Sequence, residues 1–148
     1  MHLETLGELV NWSATFHQGM ADKLNALAPQ ANPRGELLAE YLAGHESQLA
    51  DTIAALQHTE KNKALDTWVT EFLNNQPLPS LDAPWPKDNA EDLLEEVLAA
   101  HNTLLELYQG LLSRCATTPG EPLLTQLIDV EKQELTRIAQ AANRMQDI

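Results

Sequence analysis

The chain has 148 residues, enough for one domain with a hydrophobic core that needs neither disulfides nor a structural metal. Asp and Glu number 22 against 9 Lys and Arg, and a formal charge of −13 repels nucleic acid and anionic lipid alike, so neither is expected as a partner. Aromatic residues make up only 5% while Leu, Ala, Glu and Gln dominate, which favours helix over sheet.

The single cysteine, Cys115, has no internal partner and suits a reducing compartment. The opening Met1-His-Leu-Glu-Thr-Leu-Gly-Glu8 has neither the basic start nor the apolar run of a signal peptide. No stretch approaches a membrane span, so the expectation is a cytoplasmic protein without membrane association.

The first predicted helix runs from about Leu3 to about Leu27, where Leu3, Leu6, Val10, Ser13, Phe16/His17, Met20, Leu24 and Leu27 recur at three- and four-residue steps. Pro29-Gln-Ala-Asn-Pro-Arg-Gly35 is a turn that reverses the chain. The second helix is expected from about Glu36 to about His58, its stripe being Leu38, Leu42, His45, Leu49, Ile53 and Leu56. From about residue 59 to 90 the periodicity loosens into a short amphipathic piece, Ala64 to Leu73, and the proline-rich Pro77 to Pro86. Such a segment is too long for a tight turn and too apolar for a free linker. It is expected to cross the molecule, to pack Trp68, Phe72 and Trp85 as a lid, and to let the third helix run parallel to the second.

The third helix opens on a capping signal at Asp88 or Asn89, with Glu91 and Asp92 in its first turn. Its stripe reads Leu94, Leu98, His101, Leu105, Tyr108, Leu112 and Cys115. After Ala116-Thr-Thr-Pro-Gly-Glu-Pro122 the fourth helix carries Leu124, Ile128, Glu131, Leu135 and Ile138. Short, long and short connections between four amphipathic helices give one domain over residues 1–148, an all-α antiparallel four-helix bundle with a long crossover between the second and third helices.

Three polar residues interrupt the apolar stripes: His45, His101 and Glu131. An unpartnered buried polar group costs roughly 1–3 kcal/mol, so these side chains are expected to meet one another, a metal or water. Glu134 lies one turn beyond Glu131 on the same face. Two imidazoles and two carboxylates form a ligand set that Zn(II), Fe(II) or Mn(II) accepts, so His45, His101, Glu131 and Glu134 are the candidate ligands of one transition-metal ion. His17 also falls on an apolar seam, but its distance from Val10 places it toward one end of the bundle, hydrogen-bonded rather than ligating.

The stretches Glu95 to Tyr108 and Leu124 to Ile138 resemble the rubrerythrin-like branch of the ferritin-like di-iron proteins. In that family the third helix carries a ligand Glu six residues before an aromatic-Tyr pair, and the fourth an E-x-x-H motif. Here the first position holds His101 and the second reads Glu131-Lys-Gln-Glu134. In the first half Val10 stands at the first-helix Glu position, and His45 and Gln48 at the second-helix E-x-x-H. The resemblance implies a ferritin-like fold that has lost the standard di-iron centre. Two roles follow from it: a non-catalytic structural or interaction protein, expected as a homodimer, or a mononuclear metal protein with a redox or metal-handling role.

Overall fold

The computed structural model describes residues 3–59 and 63–146, so residues 60–62 of the expected crossover fall outside the described residues. Four long helices, α1 (Leu6–Leu27), α2 (Pro33–Thr59), α4 (Ala90–Arg114) and α5 (Glu121–Gln146), are accompanied by one short helix, α3 (Thr70–Leu73). The protein is all-helical, and the one extended pairing among the described residues is an isolated antiparallel bridge between Thr5 and Trp68.

Capping chemistry sets the helix ends. Thr5 is extended and its hydroxyl accepts the Glu8 amide, which starts α1 three residues later than the periodicity predicts. The next orphan amides of that first turn are taken by the crossover: Leu6 N donates to Thr67 O and Gly7 N to Leu65 O, both at 2.8 Å. A 3₁₀ turn over Ala28–Gln30, with Pro29 in it, closes α1. Pro33 then opens α2, where its missing N–H costs nothing, and the Asn32 side chain accepts the Gly35 amide at 2.8 Å. Asn89 caps α4 by accepting from the Glu91 and Asp92 amides.

The ends of the long helices are tied together in pairs. Asn32, just before α2, donates through its side-chain amide to Asp88 O, just before α4, so both helices begin at one end of the molecule. Gly120, just before α5, lies against Leu6 and Thr67 at the start of α1, so these two begin at the opposite end. Residues 63–89 therefore travel the length of the molecule. Lys23 of α1 holds the proline-rich part of that path, donating to the carbonyls of Leu81 and Ala83 and lying 4.5 Å above the Trp85 ring. Phe72 and Trp85 are half-buried against the core, as a lid requires, whereas Trp68, paired through its backbone with Thr5, is 69% exposed while the next residue, Val69, turns inward.

One contiguous apolar core draws on all four long helices and on Ala64, Val69 and Leu73 of the crossover. The buried face of α4 is centred one residue away from the predicted stripe: Leu93, Val97, Leu104 and Leu111 are fully buried, with Leu94, Leu98, Leu105 and Leu112 beside them. A shift of one residue in the opposite sense occurs on α2, where Ala39, Ala43, Glu46 and Ala50 also face inward.

Two glycines test this packing in opposite directions. A Cβ on Gly120 would sit 2.7 Å from the Thr67 hydroxyl and 2.9 Å from a Leu6 methyl, so Gly120→Ala forces the α5 start away from the crossover. It is expected to lower stability by about 1–3 kcal/mol. A Cβ on Gly44 in α2 would meet nothing within 4 Å, and Gly44→Ala is expected to raise stability by about 0.5–1 kcal/mol. Urea unfolding followed by circular dichroism reads both. A neutral Gly120→Ala would contradict this close packing.

Candidate functional site

Each long helix contributes one ionisable side chain to a single point in the core: His17 from α1, Glu46 from α2, His101 from α4 and Glu131 from α5. All four are 0–1% exposed. They close a ring of hydrogen bonds. His17 donates from Nδ1 to Glu46 at 2.6 Å and from Nε2 to Glu131 at 2.5 Å. His101 donates from Nε2 to the other Glu46 oxygen, and from Nδ1 to the other Glu131 oxygen at 3.0 Å. The two imidazoles face each other with centroids 5.1 Å apart, and a carboxylate spans each side.

The local sequence explains why these residues are inside. Around His17, the positions one turn away in either direction are Ser13, Ala14, Met20 and Ala21, all buried. Around Glu46 they are Leu42, Ala43, Leu49 and Ala50, again all buried. A residue so flanked lies at the centre of its helix's inward face and has no route to water. His45, one position earlier, has exposed Tyr41 and Gln48 as its neighbours and therefore stands at the edge of that face.

Both nitrogens of each imidazole donate to an ionised carboxylate, so each ring carries two protons and one positive charge. Two imidazolium ions and two carboxylates sum to zero, and no buried side-chain polar atom among the described residues lacks a partner. Burial works against the charged His17 ring, but the charge and hydrogen bonds of Glu131 and Glu46 outweigh it and raise its pKa from 6.5 to about 9. The same balance raises His101 to about 10. Burial likewise opposes ionisation of Glu131, yet His17 and His101 bring it down from 4.5 to about 2, and Glu46 is lowered by the same two rings.

Tyr108 lies beside this ring. Its hydroxyl shares a 2.6 Å hydrogen bond with Ser13, and burial, reinforced by the negative Glu131, pushes its pKa well above 10. It is a neutral phenol in the folded protein.

Of the four candidates from sequence, His101 and Glu131 lie in the ring. His45 and Glu134 instead pair with each other, His45 Nδ1 to Glu134 Oε1 at 2.8 Å, nearer the surface. The Tyr41 ring lies against His45, tilted by 47° with centroids 4.4 Å apart, and Arg137 stands 3.8 Å from Glu134. Glu46 was not among the candidates, and His17 lies at the centre of the ring rather than toward an end of the helices. A signal for both was present: His17 and Glu46 are 29 residues apart and His101 and Glu131 are 30 apart, the mark of two similar helix pairs.

Metal-ligand chemistry is concentrated at one side of the ring. His17, Glu46 and His101 each offer a donor atom within 4.8 Å of the others, a buried group that could hold a metal ion. No known protein family, curated protein or solved structure shows significant similarity to this chain. Among the described residues no helix is long and apolar enough to cross a membrane.

The ring dictates a pH dependence for the metal-free protein. The imidazolium contribution is complete below the unfolded-state value of 6.5 and is lost as pH rises through about 9 and 10. The Glu131 contribution is complete above 4.5 and is lost as pH falls toward 2. The melting temperature is therefore expected to be highest between pH 4.5 and 6.5 and to fall on both sides. A melting temperature that climbs from pH 7 to about 9 would contradict the doubly protonated ring. Removing one member should be costly in itself: His101→Ala strips a donor from each carboxylate and is expected to lose about 3–5 kcal/mol in denaturant unfolding.

Proposed function

We propose that the chain is a helical metal-binding protein whose ring takes one divalent transition-metal ion through His17 Nδ1, His101 Nε2 and the Glu46 carboxylate. The observation that carries this reading is convergence: both of these nitrogens point at Glu46, while the other nitrogen of each ring points at Glu131. Two imidazoles and one carboxylate are a set that Zn(II), Fe(II) and Mn(II) accept, and three protein ligands leave a further coordination position open. Glu131 then has the part of an outer carboxylate, accepting the remaining N–H of both imidazoles and fixing which nitrogen faces the ion.

Tetrahedral coordination at about 2.0–2.2 Å separates donor atoms by about 3.3–3.5 Å, so the ring must open by several tenths of an ångström to admit the ion. The fit also has a thermodynamic side. Four buried ionisable groups are less favourable than a well-packed apolar layer in the same place, and a ligand is one return for that cost. In this reading His101 keeps the ligand role the sequence predicts and Glu131 moves to the outer shell. His17 and Glu46 replace His45 and Glu134, whose polar atoms are committed to each other.

The helix order and the placement of the helix starts support classing the fold as an antiparallel four-helix bundle of ferritin-like shape. The carboxylate count argues against a di-iron centre, since the ring brings two carboxylates where that centre uses four.

A second reading rests on a different observation, the complete mutual satisfaction of the ring. In it the centre is lost, the ring serves as a structural ion network, and the protein works non-catalytically through its surface, as a homodimer. Exposed Trp68, at the end where α1 begins, is the apolar side chain such a surface would use.

Calorimetric titration of metal-free protein with Zn(II) or Co(II) separates the two. The metal reading expects one ion per chain and a gain of about 2.7 kcal/mol in stability at a hundredfold excess over Kd. Glu46→Gln is expected to abolish binding, and Glu131→Gln to weaken it by about 10–100-fold. No heat of binding together with an unchanged melting temperature would reject the metal site and leave the structural network, and sedimentation then tests for the dimer.

A further inference from the structure

We propose that the His45–Glu134 pair is the loading relay of the buried ring, the place where a divalent transition-metal ion is first captured and from which it passes inward along the α2–α5 seam. This rests on the metal reading of the ring given above.

The four ring residues are 0–1% exposed, so an ion reaches them only through the surrounding shell of side chains. That shell is almost wholly apolar. Around His101 the positions one turn away are Val97, Leu98, Leu104 and Leu105; around Glu131 they are Leu127, Ile128, Glu134 and Leu135. Taken with the neighbours of His17 and Glu46, Ser13 and Glu134 are the two polar residues among all these positions, and Ser13 is occupied by Tyr108. Glu134 is thus the one charged group a single helical turn from the ring, about 5–6 Å between Cβ atoms.

Its partner faces outward. The His45 side chain is 24% exposed and that of Glu134 is 7% exposed, so the pair has one wet end and one end in the core. His45 directly precedes Glu46 in α2 and Glu134 stands one turn beyond Glu131 in α5, so the pair joins the two helices that carry the ring carboxylates. The two atoms that meet at 2.8 Å, an imidazole nitrogen and a carboxylate oxygen, are of the types that bind divalent transition metals. The Tyr41 ring packs against the imidazole at a tilt of 47°. Arg137 is the counter-charge at this mouth, but its side chain is 63% exposed and 3.8 Å away, a contact that water screens.

A relay changes rates and leaves the equilibrium alone. The test is stopped-flow binding of Co(II) to metal-free protein, followed by its visible absorption, with release measured into excess chelator. His45→Ala/Glu134→Gln is expected to slow association and release together by about tenfold or more, with Kd held within about threefold. The milder His45→Gln/Glu134→Gln, compared by circular dichroism and thermal unfolding, shows whether a slow variant is still folded and is expected to behave alike. Unchanged rates in both variants would overturn the relay while leaving the ring site standing. Weaker Kd with unchanged release would also overturn it, since that is the behaviour of direct ligands. Failure of the wild-type protein to bind Co(II) would overturn the ring site itself and the relay with it.

Discussion

Two carboxylates, Glu46 and Glu131, each have to reach two imidazoles at once, and the rest of the molecule is arranged around that demand. A buried carboxylate without donors would carry a desolvation cost of several kcal/mol, and a buried imidazolium without an acceptor a similar one. None of the four can therefore be satisfied by its own helix or by one neighbour. The condition is met only when α1, α2, α4 and α5 bring their residues to the same depth together. Apolar packing accepts small slides of one helix along another; a closed ring of short, charged hydrogen bonds does not.

This condition accounts for features that apolar packing leaves undetermined. Rotation of α2 by one residue would carry Glu46 out and bring His45 in, with no loss of helical periodicity, since Leu42, Leu49 and Ile53 serve either face. Small residues settle the matter: Ala39, Ala43 and Ala50 are buried on the same face as Glu46. The long crossover belongs to the same requirement. It allows α2 and α4 to start at one end and α1 and α5 at the other, so that each carboxylate-bearing helix packs beside histidine-bearing ones.

The helices, their approximate limits, the turns after α1 and after α4, and the travelling middle segment were all legible in periodicity and capping residues, although α2 starts at Pro33 and α5 at Glu121, inside the turns expected over Pro29 to Gly35 and Ala116 to Pro122. So was the presence of polar residues in the core, with His101 and Glu131 identified individually. The angular position of each helix was not. Leu38, Leu42, Leu49 and Ile53 read equally well with His45 or Glu46 between them, and Leu recurs so often on α4 that two adjacent stripes are both apolar. Alanine carries the missing information, but its small apolar surface gives it little weight in a search for large hydrophobic residues. His17 was misplaced for a different reason. Its depth was measured from Val10, a position aligned by resemblance, whereas its own neighbours Val10, Ser13, Ala14, Met20, Ala21 and Leu24 are all buried and centre it in the core.

The ring also explains how one set of side chains is compatible with both readings of its purpose. With two protons shared by each imidazole, the four groups carry two positive and two negative charges. Exchange of one proton from each imidazole for a single divalent ion leaves the total at zero, so the surrounding leucines meet no new net charge. A trivalent ion in the same place would leave one positive charge uncompensated in a core where the neighbouring Tyr108 is held neutral by burial and by Glu131. Charge balance thus pulls the site away from the oxidation-state cycling of carboxylate-rich di-iron centres. What four carboxylates neutralise with two irons, two carboxylates and two imidazoles neutralise with one divalent ion or with two protons.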